Sequence, residues 1–163
     1  AIPIYTSVTP TVALWNPTGS GKNVVLLRYG IAYASGTAGF GAVGLVKETG
    51  AGSAVATAAV FSAFADAVVA TNGLIGAGAA SVIKASAGGT NTLTTAGVAL
   101  RYFYTMVGIN LEAQTGTAHA TAPSSHDFDG MIILPPGTAV WPACTVASVA
   151  LYAQTFSWAE VPA

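Results

Sequence analysis

The chain of 163 residues has room for one domain with a real core, yet it is 53% hydrophobic and only 7% charged, where ordinary soluble domains are about 25% charged. Five Lys and Arg stand against six Asp and Glu with no basic cluster, which argues against nucleic-acid binding by phosphate neutralisation. Cys144 is the only cysteine, which excludes an internal disulfide and a thiolate metal cage.

Residues 1–12 carry Pro3 and Pro10 and read as an extended arm, followed by a single domain over 13–163. Val12 to Trp15 reads as a short strand, and Asn16-Pro17-Thr18-Gly19-Ser20-Gly21-Lys22-Asn23 as a turn. The clearest strand follows. Val25, Leu27, Tyr29, Ile31 and Tyr33 fall on one face at period two, with Arg28, Gly30 and Ala32 on the other. Ser35-Gly36-Thr37 ends it, and Phe40 to Lys47 reads as its partner. Residues 49–97 are rich in Ala, Gly, Ser and Thr and carry little pattern. Ser53 to Ala70 reads as a short strand and connection with a helical turn near Phe61–Asp66, and Ala79 to Ala85 as a strand ended by Gly88-Gly89-Thr90-Asn91. Val98 to Ile109 is apolar and rich in Tyr and Phe, which favours a strand over a helix. Thr115 to Ser125 reads as a polar loop. Phe128 to Leu134, Thr138 to Trp141 and Thr145 to Trp158 read as strands, with Pro135-Pro136-Gly137 turning between the first two.

Eight to ten short strands with turn signals between them give an all-β chain, best arranged as a two-sheet, jelly-roll-like β-sandwich with an extended N-terminal arm. Positions 130–159 hold no charge, but Pro135, Pro136, Gly137 and Pro142 break that stretch, so no membrane-spanning helix is expected. In 145–158, Val146, Tyr152 and Phe156 are expected on one face and Val149 and Leu151 on the other. Two apolar faces make that stretch a candidate for subunit contact.

Motifs with chemical overtones fall short. Gly19-Ser20-Gly21-Lys22 lacks the first Gly and the final Ser or Thr of a phosphate loop, and a strand follows where a helix would be needed. His119 and His126-Asp127-Phe128-Asp129 form the only concentrated titratable group, without a firm third metal ligand. No Gly-x-Ser-x-Gly elbow occurs, and neither does the His-x-His pair of a metal-binding cupin. The sequence therefore nominates no catalytic, cofactor-binding or metal residue, and the chain is expected not to be an enzyme. Trp15, Trp141 and Trp158 suit core or interface positions better than sugar platforms.

Three segments carry a resemblance: Ala13-Leu14-Trp15-Asn16-Pro17-Thr18-Gly19-Ser20-Gly21-Lys22-Asn23, then Phe128-Asp129-Gly130-Met131-Ile132-Ile133-Leu134-Pro135-Pro136-Gly137-Thr138, and the closing Trp158-Ala159-Glu160-Val161-Pro162. Together they resemble small structural proteins of tailed bacteriophages, of the capsid decoration or cement type. The likeness covers both ends of the chain and is weak across 49–97. It implies a β-sandwich that forms a dimer or trimer on the capsid exterior of a virion and packs against the major capsid protein or other virion proteins. The second expectation is a head-fibre or tail-associated protein binding host-surface glycans. The expected interface residues are Ile2, Ile4, Tyr5, Trp15, Trp141, Tyr152 and Trp158, with the arm, and the tail 159–163, free to clasp a neighbour by strand addition.

Overall fold

Short runs of β-branched, aromatic and small residues, punctuated by Gly and Pro, fold into eight strands among the residues described by the computed structural model. These residues are 2–7, 10–36, 41–47, 81–87, 97–106, 124–147 and 149–163, with backbone alone at 84–87 and 103–106. The strands are β1 (Val12–Asn16), β2 (Lys22–Ser35), β3 (Gly41–Lys47), β4 (Lys84–Ala87), β5 (Val98–Met106), β6 (Ser124–Leu134), β7 (Thr138–Cys144) and β8 (Leu151–Pro162). A five-stranded sheet has the order β4-β1-β7-β3-β5 and a three-stranded sheet the order β6-β2-β8. All pairings within the sheets are antiparallel. The two sheets pack face to face, so the chain is an all-β sandwich. The expectations for 49–80, 88–96 and 107–123, His119 included, lie outside the described residues.

The core between the sheets takes Leu14 from β1, Val43 and Leu45 from β3, and Val140 and Cys144 from β7. From the smaller sheet come Val24, Leu26, Tyr29 and Ile31 of β2 with Phe128 and Leu134 of β6. At β1, β3 and β7 the larger sheet is also buried on its second face, whereas β5 exposes Val98, Leu100 and Tyr102. On the buried second face Ala13 and Trp15 alternate with Leu14, and Ala139, Trp141 and Ala143 alternate with Val140 and Cys144. Large side chains sit opposite smaller ones: Trp15 pairs with Ala139 and Trp141 with Val46. Gly97 lies so close that a Cβ there would meet Trp141 Cζ2 at 2.5 Å. Gly97 thus lies directly against this face.

Two turns carry the chain from one sheet to the other. The segment after β1 closes with Ser20 N–H donating to Pro17 O at 3.1 Å, with Gly19 and Gly21 at positive φ, and leads directly into β2. It joins strands of different sheets and so is not a hairpin. The turn after β6 closes with Thr138 N–H on Pro135 O at 3.2 Å, with Gly137 at φ 84. Asn16 ties both together. Its fully buried Nδ2 donates to Lys22 O and to Leu134 O, each at 2.8 Å, while its backbone carbonyl accepts from Gly137 N–H at 2.8 Å.

Several expectations need correction. Leu27 is an extra residue in β2 relative to β8: Leu26 pairs with Trp158 and Arg28 with Ser157. A bulge of this kind flips the alternation. Tyr29, Ile31 and Tyr33 therefore line up with Val24 and Leu26, whereas Val25 and Leu27 turn outward. β6 begins at Ser124, inside the stretch read as a loop. The strand read over 145–158 is replaced by β7 ending at Cys144 and β8 starting at Leu151, so Val146 and Val149 stand outside any strand. The tail is not free: β8 runs to Pro162, which pairs with Lys22, and Ala163 N–H donates to Gly21 O at 3.1 Å. The arm is docked on its own chain. Ile4 bridges Cys144 in parallel, Cys144 N–H donates to Pro3 O at 2.8 Å, and Tyr5 N–H donates to Cys144 O at 3.0 Å. Ile2 is 2% exposed in the core.

Candidate functional site

Among the described residues, two apolar runs of four build an exposed apolar patch on the smaller sheet. Val24-Val25-Leu26-Leu27 of β2 lies antiparallel to Met131-Ile132-Ile133-Leu134 of β6, with Val24 opposite Leu134, Val25 opposite Ile133 and Leu26 opposite Ile132. Alternation allows only half of each run to reach the core. Val24, Leu26, Ile132 and Leu134 do so, and Val25, Leu27, Met131 and Ile133 are left on the outer face. Met131 is 65% and Ile133 57% exposed. Ala159 of β8 sits beside Val25, and the exposed Val161 lies one strand over from Asn23. Single exposed apolar residues are ordinary, but a cross-strand cluster is not.

A backbone irregularity bounds this patch. Between the pairs Leu26–Ile132 and Arg28–Asp127, β2 advances two residues and β6 five. The surplus is taken up by Asp129 at φ 51 and Gly130 at φ 74, in the left-handed region that Gly and Asp tolerate best. A Cβ on Gly130 would lie 3.3 Å from Val25 Cγ1, so the arched backbone walls the patch at Val25. Past the arch, Arg28 Nε donates to Asp127 Oδ1 at 2.5 Å and Arg28 Nη2 to Oδ2 at 3.2 Å. This exposed, two-pronged pair, chiefly through its hydrogen bond, holds the Asp127 carboxyl below the usual carboxylate range.

The titratable cluster read from the sequence is split by the strand. Asp127 points outward to Arg28, whereas the half-buried His126 ring stacks edge-on against Phe128, centroids 5.0 Å apart. Asp129 is in the arch. Among the described residues no three His, Cys, Asp or Glu side chains are grouped to hold a metal ion, and no helix is long and apolar enough to cross a membrane. Cys144 is buried, and burial pushes its thiol above the usual value.

The seven residues nominated for an interface do not form one surface. Ile2, Trp15 and Trp141 are core residues, because each falls on a buried row of the sandwich. Ile4, Tyr152 and Trp158 are half-buried and pack against the core, and Tyr5 alone is exposed, at 41%. Trp15 and Trp141 are buried and Trp158 is half-buried, so the three do not share an open face. The residues missed were Val25, Leu27, Met131, Ile133 and Val161. Their signal was present: four consecutive apolar residues in a strand require two apolar faces. Protein-family models, curated proteins and solved structures yield no match to this chain.

Proposed function

We propose that this chain is a virion structural protein, a capsid decoration or cement subunit on the capsid exterior, which stabilises the shell by packing its apolar sheet face against the major capsid protein or a neighbouring virion protein. One observation carries the reading: Val25, Leu27, Met131 and Ile133 form a cross-strand apolar cluster on the outside of the three-stranded sheet, in a chain with only 7% charged residues. Apolar contact is favoured by such a surface, since few ion pairs are available and burial contributes about 25 cal/mol per Å² without salt screening. The turn-and-strand motifs that resemble phage decoration proteins supply the kind of assembly. A subunit that binds only the assembled shell stabilises it by mass action. The role is structural: it uses no catalytic residue and no cofactor, and its partners are capsid proteins and further copies of itself.

The test is co-sedimentation of the purified chain with capsid shells stripped of it. Met131→Lys and Ile133→Lys should each weaken attachment about tenfold, as loss of about 1–2 kcal/mol of apolar burial requires. Salt up to roughly half-molar should leave attachment unchanged, because exposed ion pairs fade there and apolar contact does not. Release by salt alone, or full attachment of both lysine variants, refutes the reading.

A further inference from the structure

β8 is one end of the three-stranded sheet, and among the described residues it pairs with β2 alone. An edge strand presents a row of backbone N–H and C=O groups, and folded proteins shield such edges with charge, proline, bulges or short length. The other sheet ends carry these devices. β4 has four residues and begins with Lys84, β5 carries Arg101 and two irregularities against β3, and β6 carries Asp127 and the left-handed arch at Asp129–Gly130. From Leu151 to Ala159, β8 has none of them. It is 12 residues long, with no charge before Glu160 and no proline before Pro162. At both irregularities the extra residue, Leu27 or Ala34, belongs to β2, so β8 runs straight.

A second observation points to what covers that edge. Tyr152, Phe156 and Trp158 form the inner row of β8 and pack against the core, Phe156 with its ring 5.1 Å from that of Tyr29, yet all three stay half-buried. The outer row through Ala153, Thr155 and Ser157 is short and exposed. A strand added along this edge would bury more of Phe156 and Trp158.

We propose that β8 pairs antiparallel with β8 of a second copy, joining two three-stranded sheets into one six-stranded sheet across a two-fold axis. The proposal deepens the subunit reading above by naming the contact between copies. A straight, nearly uncharged edge is its own complement: two-fold pairing uses the same patch on both subunits and keeps the two Glu160 carboxylates at opposite ends. Because side chains alternate, only registers that pair even with even positions keep both aromatic rows on the inner face. With Phe156 opposite Gln154 of the partner subunit, Trp158 meets Tyr152 of the partner subunit, an aromatic cross-strand pair. The pairing also places two copies of the Val25–Ile133 cluster on one continuous sheet face.

Sedimentation equilibrium of the full 16.1 kDa chain should give the dimer mass at micromolar concentration. Thr155→Lys, on the exposed row and opposite Thr155 of the partner subunit in this register, should raise the dimer dissociation constant roughly tenfold by setting like charges against each other, and Ser157→Lys, opposite Ala153 of the partner subunit, should raise it by less. Ser125→Lys on β6 should leave it unchanged, and near-UV circular dichroism confirms that each variant is folded. A monomer throughout the micromolar range overturns the pairing. So does a dimer insensitive to both β8 changes, or one dispersed by Met131→Lys instead. The same variants are scored for shell attachment: a chain that attaches while monomeric overturns the pairing and leaves the proposed function standing. A β8-dependent dimer that never attaches supports the pairing and removes that function.

Discussion

Replacing Ile2 by Ala should destabilise the isolated chain by about 2–5 kcal/mol. The side chain is 2% exposed and belongs to the core between the sheets, although it lies near the start of a segment whose composition reads as a detached arm. The change removes three carbons, about 2.5 kcal/mol at about 0.8 kcal/mol per buried CH₂, and the cavity left behind adds to that. Ile2→Val, one carbon shorter, should cost about 0.5–1.5 kcal/mol. These are large fractions of a stability of about 5–15 kcal/mol. Urea unfolding at two protein concentrations is the assay, with an unchanged slope and a lower midpoint expected for both variants. At about 2–4 °C per kcal/mol, Ile2→Ala should also lower the melting temperature by at least about 4 °C. A loss below about 0.5 kcal/mol would refute the docking of this segment on its own core. A loss that shrinks with dilution of the wild type would place Ile2 in a neighbouring copy.

Asn16→Ala should cost about 1–3 kcal/mol, because the buried carbonyl of Leu134 and the half-buried one of Lys22 lose their donor, and Asn16→Asp should cost more by setting an anion against them; chemical denaturation checks both, and a neutral Asn16→Ala would refute the role of Asn16 as the tie between the turns. Tyr29 donates its hydroxyl to Gln154 Oε1 at 2.7 Å, and burial pushes its phenol well above the ordinary value. A raised folded-state value means that its contribution is complete below the unfolded value of about 10 and is lost as pH rises above it. Of the six tyrosines, at least one should therefore ionise, by absorbance at 295 nm, only as alkaline unfolding is seen by circular dichroism; ionisation of all six in the folded chain would refute this.

Composition and turn chemistry determined the class of fold. Tyr and β-branched runs broken by Pro17-Thr18-Gly19 and Pro135-Pro136-Gly137 can only be short strands, and the segments that became β1, β3, β5 and β7 were legible to within a few residues. The apolar patch was half legible. The runs Val24–Leu27 and Met131–Leu134 each announce two apolar faces, but no local rule says that they pair with each other. Which face turns inward is a tertiary matter. Period two is strict, so one inserted residue at Leu27 reverses every side chain before it relative to those after it, and that insertion exists only because β8 and β6 fix the register on either side. The same holds for the arm and the tail. Both are short, extended and open in composition, and only the long-range partners Cys144 and Lys22, distant in sequence, decide that they close on their own chain. Local sequence sets where strands begin and turn; the pairing of distant strands sets what each side chain touches, because that choice minimises exposed apolar area and unpaired backbone over the whole fold at once.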